Sequence, residues 1–204
     1  MYNPRFRVEL ISWAEIIRLT ARLARLIKAD HFKPDIIIAI ARGGYIPARL
    51  LCDHLDHYNL TSIRITHYLS GAQKTRQARL AEPLHVDIRG LKVLLVDDVD
   101  DSGDTLDLAL NHLQALQPAE IRIAVLHHKL ASTVIPDYYA RKITKWRWLT
   151  YPWALFEDIS SFLKKLEPPA TNPEEAVNRL QEESGIQVPL KVMREVFRTT
   201  LAND

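Results

Sequence analysis

The 204-residue chain is 47% apolar, enough for one full core with residues to spare, and its 27 basic and 25 acidic side chains leave a net charge of +2. That near-balance excludes a polyanionic partner held by bulk charge, so no nucleic acid is expected. A single cysteine, Cys52, excludes an intrachain disulfide, and no apolar run approaches the length of a membrane span. The opening residues Met1-Tyr2-Asn3-Pro4-Arg5 do not have the form of a signal peptide, so a reducing, cytoplasmic setting is expected, away from membranes.

Ser12 and Glu15 have capping-box spacing and open a helix running to about Asp30. Its apolar stripe is Ile16, Ile17, Leu19, Leu23, Leu26 and Ile27, with Arg18, Arg22, Arg25 and Lys28 facing water. Residues 35–41 read as a buried strand, followed by Arg42-Gly43-Gly44 and a helix over 48–55. Two glycines after a buried strand allow a ligand to approach the backbone closely, and the adjacent arginine supplies charge-assisted donors. A plain strand-to-helix turn is the alternative. Residues 60–67 alternate as a half-exposed strand does. Residues 68–82 lose periodicity and carry Lys74, Arg76 and Arg79, a basic loop of a length that usually marks a functional lid.

The next stretch is the most informative. Residues 93–96 are a buried aliphatic strand, followed by carboxylates at Asp97, Asp98, Asp100 and Asp101, then Ser102-Gly103-Asp104-Thr105 and a helix over 106–116. Small and hydroxyl residues at a helix start offer backbone N–H groups and hydroxyls to a phosphate. The carboxylates suit sugar hydroxyls or a cation that accompanies the phosphate. A phosphorylated ribose with Mg²⁺ satisfies all of these at once. Three other readings fit less well. An EF-hand loop starting at Asp98 would have Ala109 where a glutamate is required, and a strand precedes it. A response-regulator receiver needs a phospho-accepting aspartate at a later strand end, which is not evident. An acidic capping turn leaves four crowded carboxylates without a purpose.

Residues 97–105 closely resemble the phosphoribosyl-pyrophosphate (PRPP) motif of the type I phosphoribosyltransferases, an aliphatic run with two acidic residues ahead of Asp/Ala-Ser/Thr-Gly-x-Thr. The Arg42-Gly43-Gly44 stretch, with Pro47 after it, is similar to the pyrophosphate loop of the xanthine–guanine subgroup, although Ala41 replaces the subgroup's serine. In that family a flexible loop between the following strands closes over the site. The resemblance therefore implies that Lys74, Arg76 or Arg79 meets the pyrophosphate, with a merely solvated loop as the alternative.

Residues 120–127 read as a further strand, ending at His127, His128 and Lys129, with no zinc spacing. By resemblance Lys129 donates to the O6 of a purine. An ammonium group only donates, so it suits a 6-oxopurine and mismatches adenine. Residues 146–153 hold Trp146, Trp148 and Trp153 around Pro152, flat rings able to stack on a base for about 1–3 kcal/mol. The segment is similar to the Trp-Ile-x-x-Pro-Trp stretch of the xanthine–guanine enzymes. That similarity puts Trp148 in the stacking place, the Leu149 backbone at the far edge of the base, and Thr150 where the subgroup has an acidic residue. An aromatic core cluster fits Trp146 and Trp153 better than Trp148. Helices follow over 155–166, from Asn172 to a stop at Gly185, and from Pro189 with Val192, Met193, Val196 and Phe197 on one face. The last two are read as packing on the core or on a partner subunit rather than as a DNA-reading pair.

The resemblance spans roughly residues 10–160. The expected fold is α/β, a mainly parallel sheet flanked by helices over residues 1–166, with a helical C-terminal extension over 167–204. The implied activity is transfer of the 5-phosphoribosyl group from PRPP to a nucleobase, foremost guanine, hypoxanthine or xanthine, in a homodimer. Asp97 and Asp98 would accept from the ribose hydroxyls and steady Mg²⁺, while Arg42, Gly43 and Gly44 hold pyrophosphate. Asp101, Ser102, Gly103, Asp104 and Thr105 would cradle the 5′-phosphate. Asp101 is the expected catalytic acid/base near N7, with Asp100 beside it as the alternative. A PRPP-sensing regulator without turnover, or a different acceptor base, remains open.

Overall fold

The computed structural model describes residues 7–69 and 76–201. They fall into two compact units, one of Ile16–Lys145, the other of the described residues up to Glu15 together with those from Trp146 onward. The first unit is built on the two aliphatic runs, β2 (Ile36–Ala41) and β5 (Lys92–Asp100), which pair in parallel from Ile36 opposite Val93 to Ala39 opposite Val96. Residues of both parities along these strands are fully buried, as a central parallel strand covered on both faces requires. β3 (Leu60–Leu69) joins β2 in parallel on one side. On the other side β6 (Glu120–Lys129) and β7 (Tyr138–Ile143) extend the sheet, also in parallel. With β4 (Arg76–Glu82) antiparallel on β3, the order is β4-β3-β2-β5-β6-β7.

Helix α2 (Tyr45–Leu55) follows β2, and α3 (Asp104–Gln114) follows β5. Leu106, Ala109 and Leu113 of α3 pack with Ile38, Ile40, Val93 and Leu95 of the sheet. Because β2, β5 and β6 run in parallel, their C-terminal ends emerge along one edge, the usual ligand edge of an open α/β sheet. Arg42-Gly43-Gly44, the acidic cluster and His128-Lys129 therefore all lie at that edge.

Three features differ from the sequence reading. In α1 (Trp13–Ala29) the buried stripe is Ile16, Leu19, Thr20, Leu23, Ala24 and Ile27, while Ile17 and Leu26 are 56% and 39% exposed. Each of those two stands one residue, or 100° of helix, off the stripe. Residues 76–82, expected in an aperiodic loop, form a strand. β3 runs to Leu69, and β4 pairs back on it with Thr66 opposite Arg79 and His67 opposite Ala78. Ala78 and Leu80 pack on the core while Arg79 is exposed, an alternation that the polar residues of an edge strand obscure. Arg76 begins β4, and Lys74 lies outside the described residues. β7 and the two short strands of the other unit were also not anticipated.

His112 of α3 accepts the Leu84 N–H on Nε2 at 3.0 Å, and burial holds its imidazole below the usual histidine range. Above about pH 6.5 the imidazole is neutral both folded and unfolded and this bond contributes in full. As pH falls through the depressed folded value the ring must charge, and stability is lost. Thermal denaturation at pH 7.5 and pH 5 is expected to show a larger loss in wild type than in His112→Gln.

The second unit pairs β1 (Val8–Leu10) in parallel with β8 (Trp148–Thr150), Val8 opposite Trp148. Its core is made by α4 (Leu155–Leu163), α5 (Pro173–Ser184) and α6 (Leu190–Leu201), with Ile159, Phe162, Leu180, Met193 and Val196 at the centre. Val8, Leu10 and Trp148 pack against this cluster. The expected caps of α5 are present: Asn172 Oδ1 accepts the Glu175 N–H at 2.8 Å, and Gly185 ends the helix at φ 73°. Among the described residues no helix is long and apolar enough to cross a membrane.

Candidate active site

The turn after β2 is pressed against the end of β5. The Gly44 N–H donates to the Ile40 carbonyl at 2.9 Å, and a Cβ on Gly44 would stand 2.4 Å from the Val96 carbonyl oxygen and 2.7 Å from that of Ile40. Backbone cannot step aside as a side chain can, so this position admits only glycine. Gly44→Ala is expected to lower stability by about 3 kcal/mol in denaturant titration. A Cβ on Gly43 would meet the Asp98 carboxylate at 2.4–2.7 Å. The backbone of the glycine pair thus lies directly against an acidic side chain of the neighbouring strand. The Ala41–Arg42 peptide bond is cis.

The carboxylates at the end of β5 are in sharply different surroundings. Asp97 is buried and accepts the Asp98 N–H on Oδ1 at 2.9 Å. Burial, with the Asp98 carboxylate beside it, nevertheless holds its carboxyl well above the usual range. Asp100 is also buried, and both of its oxygens are engaged: Oδ2 with His128 Nδ1 at 2.7 Å and Oδ1 with the Ser132 hydroxyl at 2.6 Å. Asp101 is 43% exposed and pairs with Lys129 Nζ at 2.7 Å, the lysine side chain itself being 4% exposed. The register explains both pairs. Asp100 lies opposite His128 in the parallel ladder, so the next residues, Asp101 and Lys129, also meet.

The loop into α3 is held from two sides. Gly103 takes φ 95°, a left-handed value suited to glycine, and a Cβ there would lie 2.5 Å from Thr133 Oγ1. Thr133 donates to the Ser102 carbonyl from its N–H at 3.1 Å and from its hydroxyl at 3.2 Å. With that carbonyl held by Thr133, the Gly103 N–H on the opposite side of the same peptide faces away from it. The Ser102 hydroxyl donates to Asp104 Oδ2 at 3.0 Å. From β3, His67 Nε2 lies 3.0 Å from Thr105 Oγ1. Sequence reasoning missed His67, Ser132 and Thr133 and left His128 as structural. The one available signal was that β5 ends in two acids and β6 in two bases.

Trp148 and Leu149 belong to the other unit. The Trp148 indole N–H donates to Asp158 Oδ2 at 2.9 Å, and its ring meets Phe162 edge-on at 6.4 Å. Burial raises the Asp158 carboxyl, and the hydrogen bond from Trp148 acts against that rise. Leu149 is buried on β8, opposite Glu9. Trp153 stacks on Tyr151 at 4.8 Å and 7° and tilts against Trp13 at 5.8 Å. Of the two rings expected in an aromatic cluster, Trp153 lies in one, while Trp146 is 49% exposed.

Residues 9–156 match the model of the phosphoribosyl transferase domain. The chain belongs to the phosphoribosyl transferase family. It is therefore an enzyme of the glycosyltransferase class. It is 33% identical over 153 residues to the xanthine-guanine phosphoribosyltransferase of Ruegeria sp. (strain TM1040), covering 70% of this chain and 83% of that one. The crystal structure of a purine phosphoribosyltransferase from Pyrococcus horikoshii Ot3 superposes with TM-score 0.64 at 33% identity, covering 72% of this chain and 93% of that one. A hypothetical protein from Neisseria gonorrhoeae, solved with bound ppGpp, gives TM-score 0.66 at 28% identity over 89% of this chain and 98% of its own.

The phosphoribosyl transferase match takes in every expected site residue and stops within α4. The ppGpp-bound neighbour covers more of the chain than that match, so part of the segment after residue 156 is shared with it. No group of three or more His, Cys, Asp or Glu side chains able to hold a metal forms among the described residues. The adjacent Asp97 and Asp98 are two carboxylates, the complement that suits a Mg²⁺ arriving with phosphates.

Proposed function

We propose that the protein transfers the 5-phosphoribosyl group of PRPP to a 6-oxopurine, forming the nucleoside 5′-monophosphate and pyrophosphate, a purine salvage reaction. The observation that carries this reading is the Asp101–Lys129 pair at 2.7 Å, at the sheet edge where Gly43 also abuts Asp98. A proton acceptor and an N–H donor to a carbonyl there stand together, beside a loop suited to pyrophosphate. In the reaction the C1′–O bond to pyrophosphate breaks, the C1′–N bond to the base forms, and the base loses a proton. Asp101 takes that proton, while Lys129 donates to O6. Arg42 and the Gly43 N–H face the departing pyrophosphate, which would bring its own Mg²⁺; the Gly44 N–H, expected to join them, is instead spent on the Ile40 carbonyl. Asp97 and Asp98 accept from the ribose hydroxyls.

The test is a spectrophotometric assay with PRPP and Mg²⁺ against guanine, hypoxanthine, xanthine, adenine, uracil and orotate. Turnover of 6-oxopurines and none of adenine is expected. Turnover of adenine or of a pyrimidine alone would overturn the role given to Lys129.

One observation favours a second reading, that the same site takes a regulatory guanine nucleotide. The Neisseria gonorrhoeae protein has ppGpp bound, and that ligand combines a 6-oxopurine, a ribose and pyrophosphate groups. A PRPP- or ppGpp-sensing protein without turnover would show a ligand-dependent rise in melting temperature and no product from any base.

A further inference from the structure

The loop from Asp101 to Thr105 carries two carboxylates, Asp101 and Asp104, and no cationic side chain. A phosphate dianion bound there relies on the α3 N-terminus and on hydroxyl protons. The loop has two hydroxyls. Ser102 directs its single proton to Asp104. Thr105 is met from another element by His67 Nε2 at 3.0 Å, from a position on β3 paired with Ala78 of β4.

A threonine hydroxyl has one proton to give and two lone pairs to receive with. If His67 accepts from Thr105, that proton is consumed and the hydroxyl turns only lone pairs towards a phosphate oxygen. If His67 donates from Nε2, the threonine proton is left to point at the phosphate. We infer that His67 is a positioning residue for the 5′-phosphate: by donating from Nε2 to Thr105 Oγ1 it aims the threonine proton into the cradle. The inference rests on the phosphoribosyl-transfer reading of the site. It gives the β3–β4 arm a fixed hydrogen-bonded foot on the phosphate loop.

The experiment is calorimetric titration of the full chain with ribose 5-phosphate, for wild type, His67→Ala, His67→Gln, Thr105→Val and the His67→Ala/Thr105→Val double variant. Glutamine returns a nitrogen donor near the Nε2 position. His67→Ala is expected to weaken binding about tenfold, and His67→Gln to stay within about threefold of wild type. The double variant should bind as Thr105→Val does, because two residues acting through one proton are not additive. His67→Ala binding as tightly as wild type would overturn the inference. So would His67→Gln as weak as alanine, or a double variant whose losses multiply. Wild type that takes neither ribose 5-phosphate nor PRPP overturns the reading of the site, and this inference with it. Normal wild-type binding with an indifferent His67 overturns this inference alone.

Discussion

Asp97→Asn is expected to raise the melting temperature of the ligand-free protein by about 3–6 °C and to lower phosphoribosyl transfer by ~10²-fold or more. Asp97 is a buried carboxyl beside Asp98, and both burial and that neighbour disfavour its ionised form. Its folded pKa lies above the unfolded one, so the protonated form favours folding. That stability is fully present below the unfolded value and is lost as pH rises through the folded value. Above the folded value the ligand-free protein carries the whole penalty. Asparagine removes the charge and keeps an oxygen for the Asp98 N–H, which Asp97 receives at 2.9 Å. Thermal scans from pH 8 to pH 4 check the cause directly, because the gap between variant and wild type should close as pH falls. With Mg²⁺ and PRPP present the order should reverse, since in the proposed function ribose hydroxyls and the cation would satisfy the carboxylate that burial penalises. A gap that does not vary with pH would assign the gain to something other than the charge.

The second large effect separates two adjacent acids. Asp101→Asn is expected to reduce kcat by about 10²–10⁴-fold with little change in PRPP binding. The amide still presents an oxygen to Lys129, which is buried and 2.7 Å away, but it takes no proton. Asp100→Ala should do the opposite. It leaves the buried His128 and the half-buried Ser132 hydroxyl without their common acceptor, costing about 2–3 kcal/mol of stability. Steady-state kinetics and denaturant titration of both variants are the measurement. Near-wild-type turnover in Asp101→Asn would remove Asp101 from the proton-transfer role, and Asp100, with both oxygens already engaged, could not easily replace it.

The sequence made the centre of the sheet legible and left its edges obscure. The runs at 36–41 and 93–96 are aliphatic on both faces because both faces are covered, and burial of that kind is written in composition alone. The glycines of the β2 turn and the small residues before α3 were legible because backbone geometry requires them. β4 was not, because one of its sides is open and Arg79 there costs nothing. β1 and β8, three residues each, are too short to show a period, and each is fixed by pairing with a partner far along the chain. In sequence Asp101 is singled out over Asp100 by resemblance alone. The register of β5 on β6 sends one to His128 and the other to Lys129, and register is a long-range property. His67 escaped notice for the same reason: Thr105 is its neighbour only once β3 and α3 are in place.

The pairing of Val8 with Trp148 also sets a timetable for synthesis. β1 leaves the ribosome on the order of ten seconds before its ladder partner β8 has been made. Residues 16–145 can complete their own sheet during that interval, since β2 to β7 all lie within them. β1 is thus the earliest strand translated and among the last to find its place. Until α4, α5 and α6 arrive, Val8 and Leu10 have no apolar cluster to join.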